Sequence, residues 1–490
     1  MLSDHHWREK LNNERWARGY GSPTLRRSLF LAALCLCSCI HFPSYRALVI
    51  GGASGRIFFR DTAVFTATSR ELLPHQDVLV EDGLITSVEP TGALPAAGVL
   101  IIEGKGKTLI PGLVDAHAHT TMNSLPPWYA AIPNAGHNLD AFLYAGVTTV
   151  NDLGGSWDEI IALRQEIAAG TRLGPRIFFA GPIITHESGY PISMIREAYG
   201  ALAYAAIGQK LATQITSPEQ GALAVRRRFA AGATMIKVVI ADIPKGAPRL
   251  TPDELDAIVH QAHQLGLLVV AHIDTSEDAL MAARHHVDGL AHGIETTVLT
   301  PEQAAELKAS GIVMVPTLVN YERFCQVAQK RFVPLALTVE SEPAESLAQF
   351  GPTYVDAAKL PAGVYAWGDA LEANVATRST NLRTAHEAGV PLVAGADSMG
   401  SVGTFAGDLH QELVMWVAAG LSSAEALLAA TSGAARFITP RPSFGTIEVG
   451  KSADLLLLDG DPLADISATQ RIVTVVARGR IIERLPAAPQ

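Results

Sequence analysis

A chain of 490 residues is long enough for one large domain and a smaller companion, and an apolar content of 48% supplies ample core for both. Its 48 acidic residues exceed its 38 lysines and arginines, and the formal charge of −10 argues against a nucleic-acid-binding surface. Of the four cysteines, three (Cys35, Cys37 and Cys39) crowd the start of the chain and Cys325 stands apart, so no disulfide framework can be read.

In chain order, residues 1–45 read as a leader. Arg26 and Arg27 precede an apolar run from Leu29 to Cys39 that is too short to span a bilayer and has the shape of a signal-peptide core. Leu36-Cys37-Ser38-Cys39 resembles a bacterial lipobox, which makes Cys39 the expected lipidation site, with ordinary signal cleavage as the alternative. The expected location is the cell envelope or periplasm, with contact to the membrane through the lipid anchor.

From Ala47 to Thr108, short runs such as DTAVFTA, DVLVEDG, LITSVEP and VLIIEG alternate with turn residues, as small antiparallel strands do. From Leu109 an apolar strand is followed each time by a helical stretch. Eight strands are expected: Leu109 to His119, Val147 to Leu153, Arg176 to Ile184, Met235 to Ala241, Leu267 to Ile273, Gly289 to Ile294, Ile312 to Val319 and Pro391 to Ala396. Between them, Ser217-Pro218-Glu219 and Thr251-Pro252 with Glu254 open helices in the usual way, a capping residue before a proline. Strands apolar on both faces and separated by helices imply an α/β fold, a (β/α)8 TIM-like barrel spanning 109–439. Tyr321 to Glu387 is long for one crossover and reads as a helical lid or insertion, or as an elongated helix pair. After Phe444 the alternation returns in GTIEVG, ADLLLLDG and RIVTVVARGRIIE, so segments 46–108 and 440–490 should form one discontinuous β-sandwich domain.

Six polar residues close apolar runs of the barrel: His117 and His119, Lys237, His272, His292 and Asp397. Side chains of a strand alternate with period two, so His117 and His119 share a face, with Asp115 below them. Imidazole and carboxylate are the usual nitrogen and oxygen ligands of zinc, and four histidines with one aspartate exceed the needs of one tetrahedral ion. Lys237 lies among Met235, Ile236, Val238, Val239 and Ile240, where burial disfavours its charged form. A neutral amine takes up carbon dioxide to give a carbamate, an anion able to bridge two cations.

These residues, in this order, resemble the amidohydrolase superfamily in its binuclear branch with a carboxylated lysine. LIPGLVDAHAHT, GATMIKVVI, LSSAEALLAATSGAARF and FGTIEVGKSADLLLLDGDPL are similar to the imidazolonepropionase-like and Xaa-Pro dipeptidase-like members. The resemblance implies that His117, His119 and Asp397 hold one divalent metal and His272 and His292 the other, with carboxylated Lys237 and a hydroxide between them. Zinc is the leading choice, with manganese or cobalt open. It implies Asp397 as the catalytic base turned acid, and Asp115 as a carboxylate orienting a ligand histidine or as a structural residue. His186, Tyr190 and Tyr321, after strands three and seven, are the candidate substrate contacts. Many dipeptidase-like relatives carry Gly-Gly-His after strand three, and here Tyr190 and Pro191 stand in its place.

The implied activity is metal-dependent hydrolysis of an amide bond in a small molecule, a dipeptide or N-acyl amino acid. Two alternatives stay open: a cyclic amide or lactone hydrolase of the imidazolonepropionase-like type, and a non-catalytic envelope binding protein on the same scaffold. No signal in the sequence sets the oligomeric state.

Overall fold

A computed structural model describes residues 41–485 apart from 94–97, 127, 130, 197–207, 209 and 354–361. The expected leader up to residue 40, with Cys39, lies outside the described residues. A small unit takes in His41, Phe42, Ala131 and Ile132, in which His41 and Ala131 pair as a parallel bridge. All elements below belong to the second unit.

Six strands precede the barrel: β1 Val49–Ser54, β2 Ile57–Phe65, β3 Leu72–Glu81, β4 Leu84–Pro90, β5 Leu100–Glu103 and β6 Lys107–Pro111. Asp82 and Gly83, both at positive φ (50° and 84°), turn β3 into β4 as the right-handed twist of a hairpin demands. The barrel strands are β7 Leu113–Ala118, β8 Val147–Asp152, β9 Arg176–Phe179, β10 Ile183–His186, β11 Ala212–Ile215, β12 Met235–Val239, β13 Leu268–His272, β14 Gly289–Ala291 and β15 Val313–Val315. β16 Leu455–Asp459, β17 Ile472–Ala477 and β18 Arg480–Arg484 follow. They join the first six in one nine-stranded sheet ordered β1-β18-β17-β16-β6-β2-β3-β4, with β5 also on β2. β2 pairs with β5 through Ile57–Arg60 and with β6 through Ala63 and Val64, so one continuous sheet curls around a core of Ile57, Phe59, Val64, Val80, Leu109, Leu457 and Val476.

The barrel is assembled from a three-stranded sheet, β7-β8-β9, and a six-stranded one, β11-β10-β12-β13-β14-β15, all of whose pairings are parallel. Thr234 N donates to Phe179 O at 2.8 Å and joins the two. β9 and β10 are successive parts of one stave and β11 flanks β10 alone, so these strands make seven staves and the eighth is the stretch 391–398, an extended segment with isolated bridges. Met314 N donates to Pro391 O (2.9 Å) on one side, and Ala116 N donates to Ala394 O (3.1 Å) and His119 N to Ser398 O (2.8 Å) on the other. Gly395 permits this close approach, because a Cβ there would stand 2.7 Å from both His117 N and Val315 Cγ1.

Several expected strands are cut shorter than the apolar runs that announce them, Gly289–Ile294 among them, which ends at Ala291. Leu109–His119 divides at Gly112, with β6 in the nine-stranded sheet and β7 in the barrel. Arg176–Ile184 divides at Gly181 (φ 73°) and Pro182, because the proline cannot donate to a ladder. Ile312–Val319 stops at Val315, and Thr317 at φ 49° starts the helix Leu318–Ala328.

The expected helices are present as Pro218–Ala230, capped by Ser217, and Pro252–Gln264, capped by Thr251 in a full capping box with Glu254. The segment after Tyr321 is helical, with Ala336–Ser341, Ala344–Ala348, Ala362–Ala373 and Val375–Ala388 following the helix Leu318–Ala328. No helix among the described residues is long and apolar enough to cross a membrane.

Alternation then decides what the barrel encloses. Val114, Ala116, Met235, Val270, Ala291, Val315 and Val393 pack in one cluster inside it. Ile236, Val238, Val269, Ala271, Leu290 and Met314 pack outward against Leu255, Ile258, Leu280 and Leu307 of the helices. Lys237 shares the inward parity of Met235, and His272 that of Val270.

Candidate metal centre

Inward parity places Lys237 and His272, while a register slip on β7 between Asp115 and Ala118 and the left-handed backbone of His292 turn His117, His119 and His292 to the same side. These five thus meet Asp397 at the C-terminal ends of the strands, the face on which such barrels build their sites. His117 and His119 leave the end of β7, and their Nε2 atoms lie 3.3 and 2.9 Å from Asp397 Oδ1. One ligand atom from each of these three residues lies within 4.8 Å of the other two. Lys237 Nζ, from β12, is 3.5 Å from His117 Nε2. The ring of His292 is centred 4.7 Å from that of His117 and 4.3 Å from that of His272. All six side chains are buried. His292 and Asp397 hold their places in the left-handed backbone region (φ 76° and 56°), conformations that cost free energy and concentrate at functional sites.

The electrostatics of this cluster suit cations. Burial, reinforced by neighbouring titratable groups, holds His117, His272 and His292 well below the ordinary imidazole pKa, so they are neutral and offer lone pairs. Burial also lowers His119, but the hydrogen bond and charge of Asp397 outweigh it and the net direction is up. His119 Nδ1 donates to Gly154 O at 2.6 Å, which fixes the tautomer and leaves Nε2 toward Asp397. His292 Nδ1 pairs with Thr317 Oγ1 at 2.8 Å. Desolvation brings the Lys237 amine down to about 7, although the charge of Asp397 opposes it. His272 Nε2 is buried without a hydrogen-bond partner, and Asp397 Oδ1 is buried with only the Nε2 atoms of His117 and His119 beside it. A neutral imidazole and a carboxylate oxygen left in this way carry a desolvation penalty that a metal ion removes, so the donor set fits divalent cations.

Of the candidate substrate contacts, the structure brings two to the cluster. Tyr190 stacks on His272 with ring centres 4.7 Å apart and packs on Val239, Ala241 and Ile243. Tyr321 meets His292 edge-on at 5.6 Å, and Arg378 lies over its ring, 5.8 Å from the centre, while ion-paired to buried Glu295 at 3.3 Å. His186 is placed differently. Its Nδ1 lies 3.1 Å from Glu254 Oε2, the carboxylate that closes the capping box of the helix Pro252–Gln264. The end of β10 turns it toward that helix.

Asp115 resolves into the structural alternative. Its Oδ1 accepts from His117 N and Ala396 N, both at 3.1 Å, and its Oδ2 accepts from Ser398 Oγ at 2.7 Å. It thus ties β7 to the eighth stave by backbone contacts and leaves the imidazoles alone. Burial pushes its carboxyl up to about 7 against those three hydrogen bonds.

Three contributors escaped the sequence reading. Asn320 Nδ2 donates to Asp397 Oδ2 at 2.7 Å. Thr317 supports His292, as above. Gly400 keeps the centre open, since a Cβ there would overlap Asp397 Oδ1 and His119 Cδ2. The signals existed: a polar Asn320 in the apolar run PTLVNY, and a glycine three residues after Asp397.

Comparison with known proteins agrees with this geometry. The model of the amidohydrolase family matches residues 108–482. Ochratoxinase of Aspergillus niger is 25% identical over 443 residues, covering 84% of this chain and 83% of the relative. A crystal structure of a Xaa-Pro dipeptidase with methionine bound in its active site is similar in fold, with a TM-score of 0.71 at 24% identity over 87% of this chain and 99% of its own. A prolidase complexed with N-methylphosphonate-L-proline has a TM-score of 0.71 at 26% identity, over 88% of this chain and 100% of its own. Since the family match takes in the whole barrel and runs into the last strand of the nine-stranded sheet, the chain belongs to the amidohydrolase family and is a hydrolase acting on carbon–nitrogen bonds.

Proposed function

We propose that the substrate is a small molecule with an acyclic amide, a dipeptide or an N-acyl amino acid, and that the centre holds two divalent cations, zinc by preference. His117, His119 and Asp397 would hold one and His272 and His292 the other, with Lys237 carboxylated between them. The observation that carries this reading is the convergence of six buried donors at one barrel mouth, with His272 Nε2 left unpartnered there. Bound there, such a pair of cations acidifies water and polarises a carbonyl. The chain's own residues do the rest. Asp397 Oδ1 faces the imidazoles and takes the proton of the attacking water, then returns it to the leaving nitrogen. The Tyr190 and Tyr321 hydroxyls stay protonated, because burial raises both, and stand beside His272 and His292 as hydrogen-bond donors to a substrate. Similarity to a prolidase and to ochratoxinase supports the dipeptide or N-acyl amino acid reading, and similarity to an imidazolonepropionase keeps the cyclic amide as the second reading.

The test is a substrate panel on zinc-reconstituted enzyme: dipeptides with and without a C-terminal proline, N-acyl amino acids, cyclic amides and lactones. Turnover of acyclic amides is expected. Turnover confined to cyclic amides or lactones would reassign the enzyme, and tight metal binding with no turnover of any class would favour a binding protein.

A further inference from the structure

Resting on the hydrolase reading, we propose that Asn320 is the positioning residue for Asp397: it commits one carboxylate oxygen and leaves the other to move the proton. Asn320 is buried in the first turn of the helix Leu318–Ala328, and its Nδ2 donates to Asp397 Oδ2 at 2.7 Å. An ionised carboxylate only accepts, so the amide must present nitrogen to it. Thr404 fixes that choice, because its hydroxyl donates to Asn320 Oδ1 at 3.3 Å. Thr404 is itself buried, and its carbonyl accepts from Met399 N at 2.8 Å and from Ser124 Oγ.

The helix that carries Asn320 is pinned independently. Glu412 Oε2 accepts from Val319 N at 2.7 Å, supplying from outside the helix a partner for one of its free first-turn amides. Arg323 donates to Asp408 Oδ1 from Nε and Nη2 at 2.9 and 2.6 Å. Asp408 and Glu412 both belong to the helix Asp408–Ala418. With Oδ2 held in this way, rotation of the Asp397 carboxylate breaks a buried hydrogen bond, and Oδ1 stays 2.9 Å from His119 Nε2 and 3.3 Å from His117 Nε2. A residue of equal size without the amide would fill the space and lose the orientation.

The experiment compares Asn320→Leu, Asn320→Asp, Thr404→Val and the double variant Asn320→Leu/Thr404→Val in the metal-loaded enzyme. For Asn320→Leu, kcat should fall about 10- to 100-fold, the usual effect of removing a group that orients a metal ligand, with KM within about twofold and metal content retained. Asn320→Asp, which sets two acceptors against each other, should fall at least as far. Thr404→Val should cost less, and the double variant should be no worse than Asn320→Leu, since Thr404 acts through Asn320. A second readout needs no turnover. In the cobalt-loaded protein, Asn320→Leu should shift the visible absorption band, and the shift should vanish in an Asp397→Ala background. An unchanged kcat with an unchanged cobalt spectrum overturns the proposal, and a rise in KM alone makes Asn320 a substrate contact instead. If the wild type turns over none of the panel, the hydrolase reading fails while the cobalt spectrum still decides whether Asn320 orients Asp397.

Discussion

Replacement of Lys237 by methionine keeps an unbranched side chain of similar length and deletes the amine. In the metal-free protein the amine is buried and desolvation brings it down to about 7, against 10.5 for an ordinary lysine, with the charge of Asp397 opposing. Between those two pH values the unfolded chain binds a proton that the folded chain does not, so stability rises with pH across the window. The slope contributed by this one group is at most about 1.4 kcal/mol per pH unit, and across the full window the gain approaches about 5 kcal/mol. Between pH 7 and 9, where most other groups titrate little, the difference between wild type and Lys237→Met should change by about 2 kcal/mol. Urea unfolding of chelator-treated protein in carbon-dioxide-free buffer, repeated at each pH, measures it. Parallel stability curves for the two proteins would mean that Lys237 folds as a charged, solvated lysine, and the physical case for its carboxylation would be gone.

Three further outcomes are expected. Reconstituted with zinc and bicarbonate, the protein should hold about two metal ions per chain, and Lys237→Ala should lose metal and about a hundredfold or more of activity. A short carboxylic acid in solution should restore part of that activity, and Lys237→Arg should not, because a guanidinium stays protonated; full metal content in Lys237→Ala by elemental analysis would refute the bridge. Gly400→Ala should fold but bind metal weakly, since its Cβ meets Asp397 Oδ1 and His119 Cδ2, and a titration matching wild type would refute the steric account. For location, wild-type protein should sediment with membranes and Cys39→Ser should not; equal membrane attachment of both would remove Cys39 as the anchor.

Much of the centre was legible before any fold was known. Period-two alternation acts over two or three residues, so HAH had to present His117 and His119 together, and Lys237 had to share the face of Met235. Ser217 and Thr251 announced their helices for the same reason, since a cap acts within one turn. Where an expected strand was drawn through a break in its apolar run, local reading overran: Ile312–Val319 holds Pro316, which has no N–H for a ladder, and the chain turns at Thr317 into the helix Leu318–Ala328.

What the sequence by itself determined, then, was the set of donors, their parity and the barrel that gathers them, because each follows from periodicities that a strand or helix imposes on its own residues. Tertiary structure alone decided the partners. His186 finds Glu254 68 residues away, Asp397 is held by Asn320 77 residues before it, and Asp115 ties its strand to Ala396 281 residues on. Those pairings depend on how separate elements pack and on which buried polar atoms must find one another there, and no local pattern in the chain carries that information.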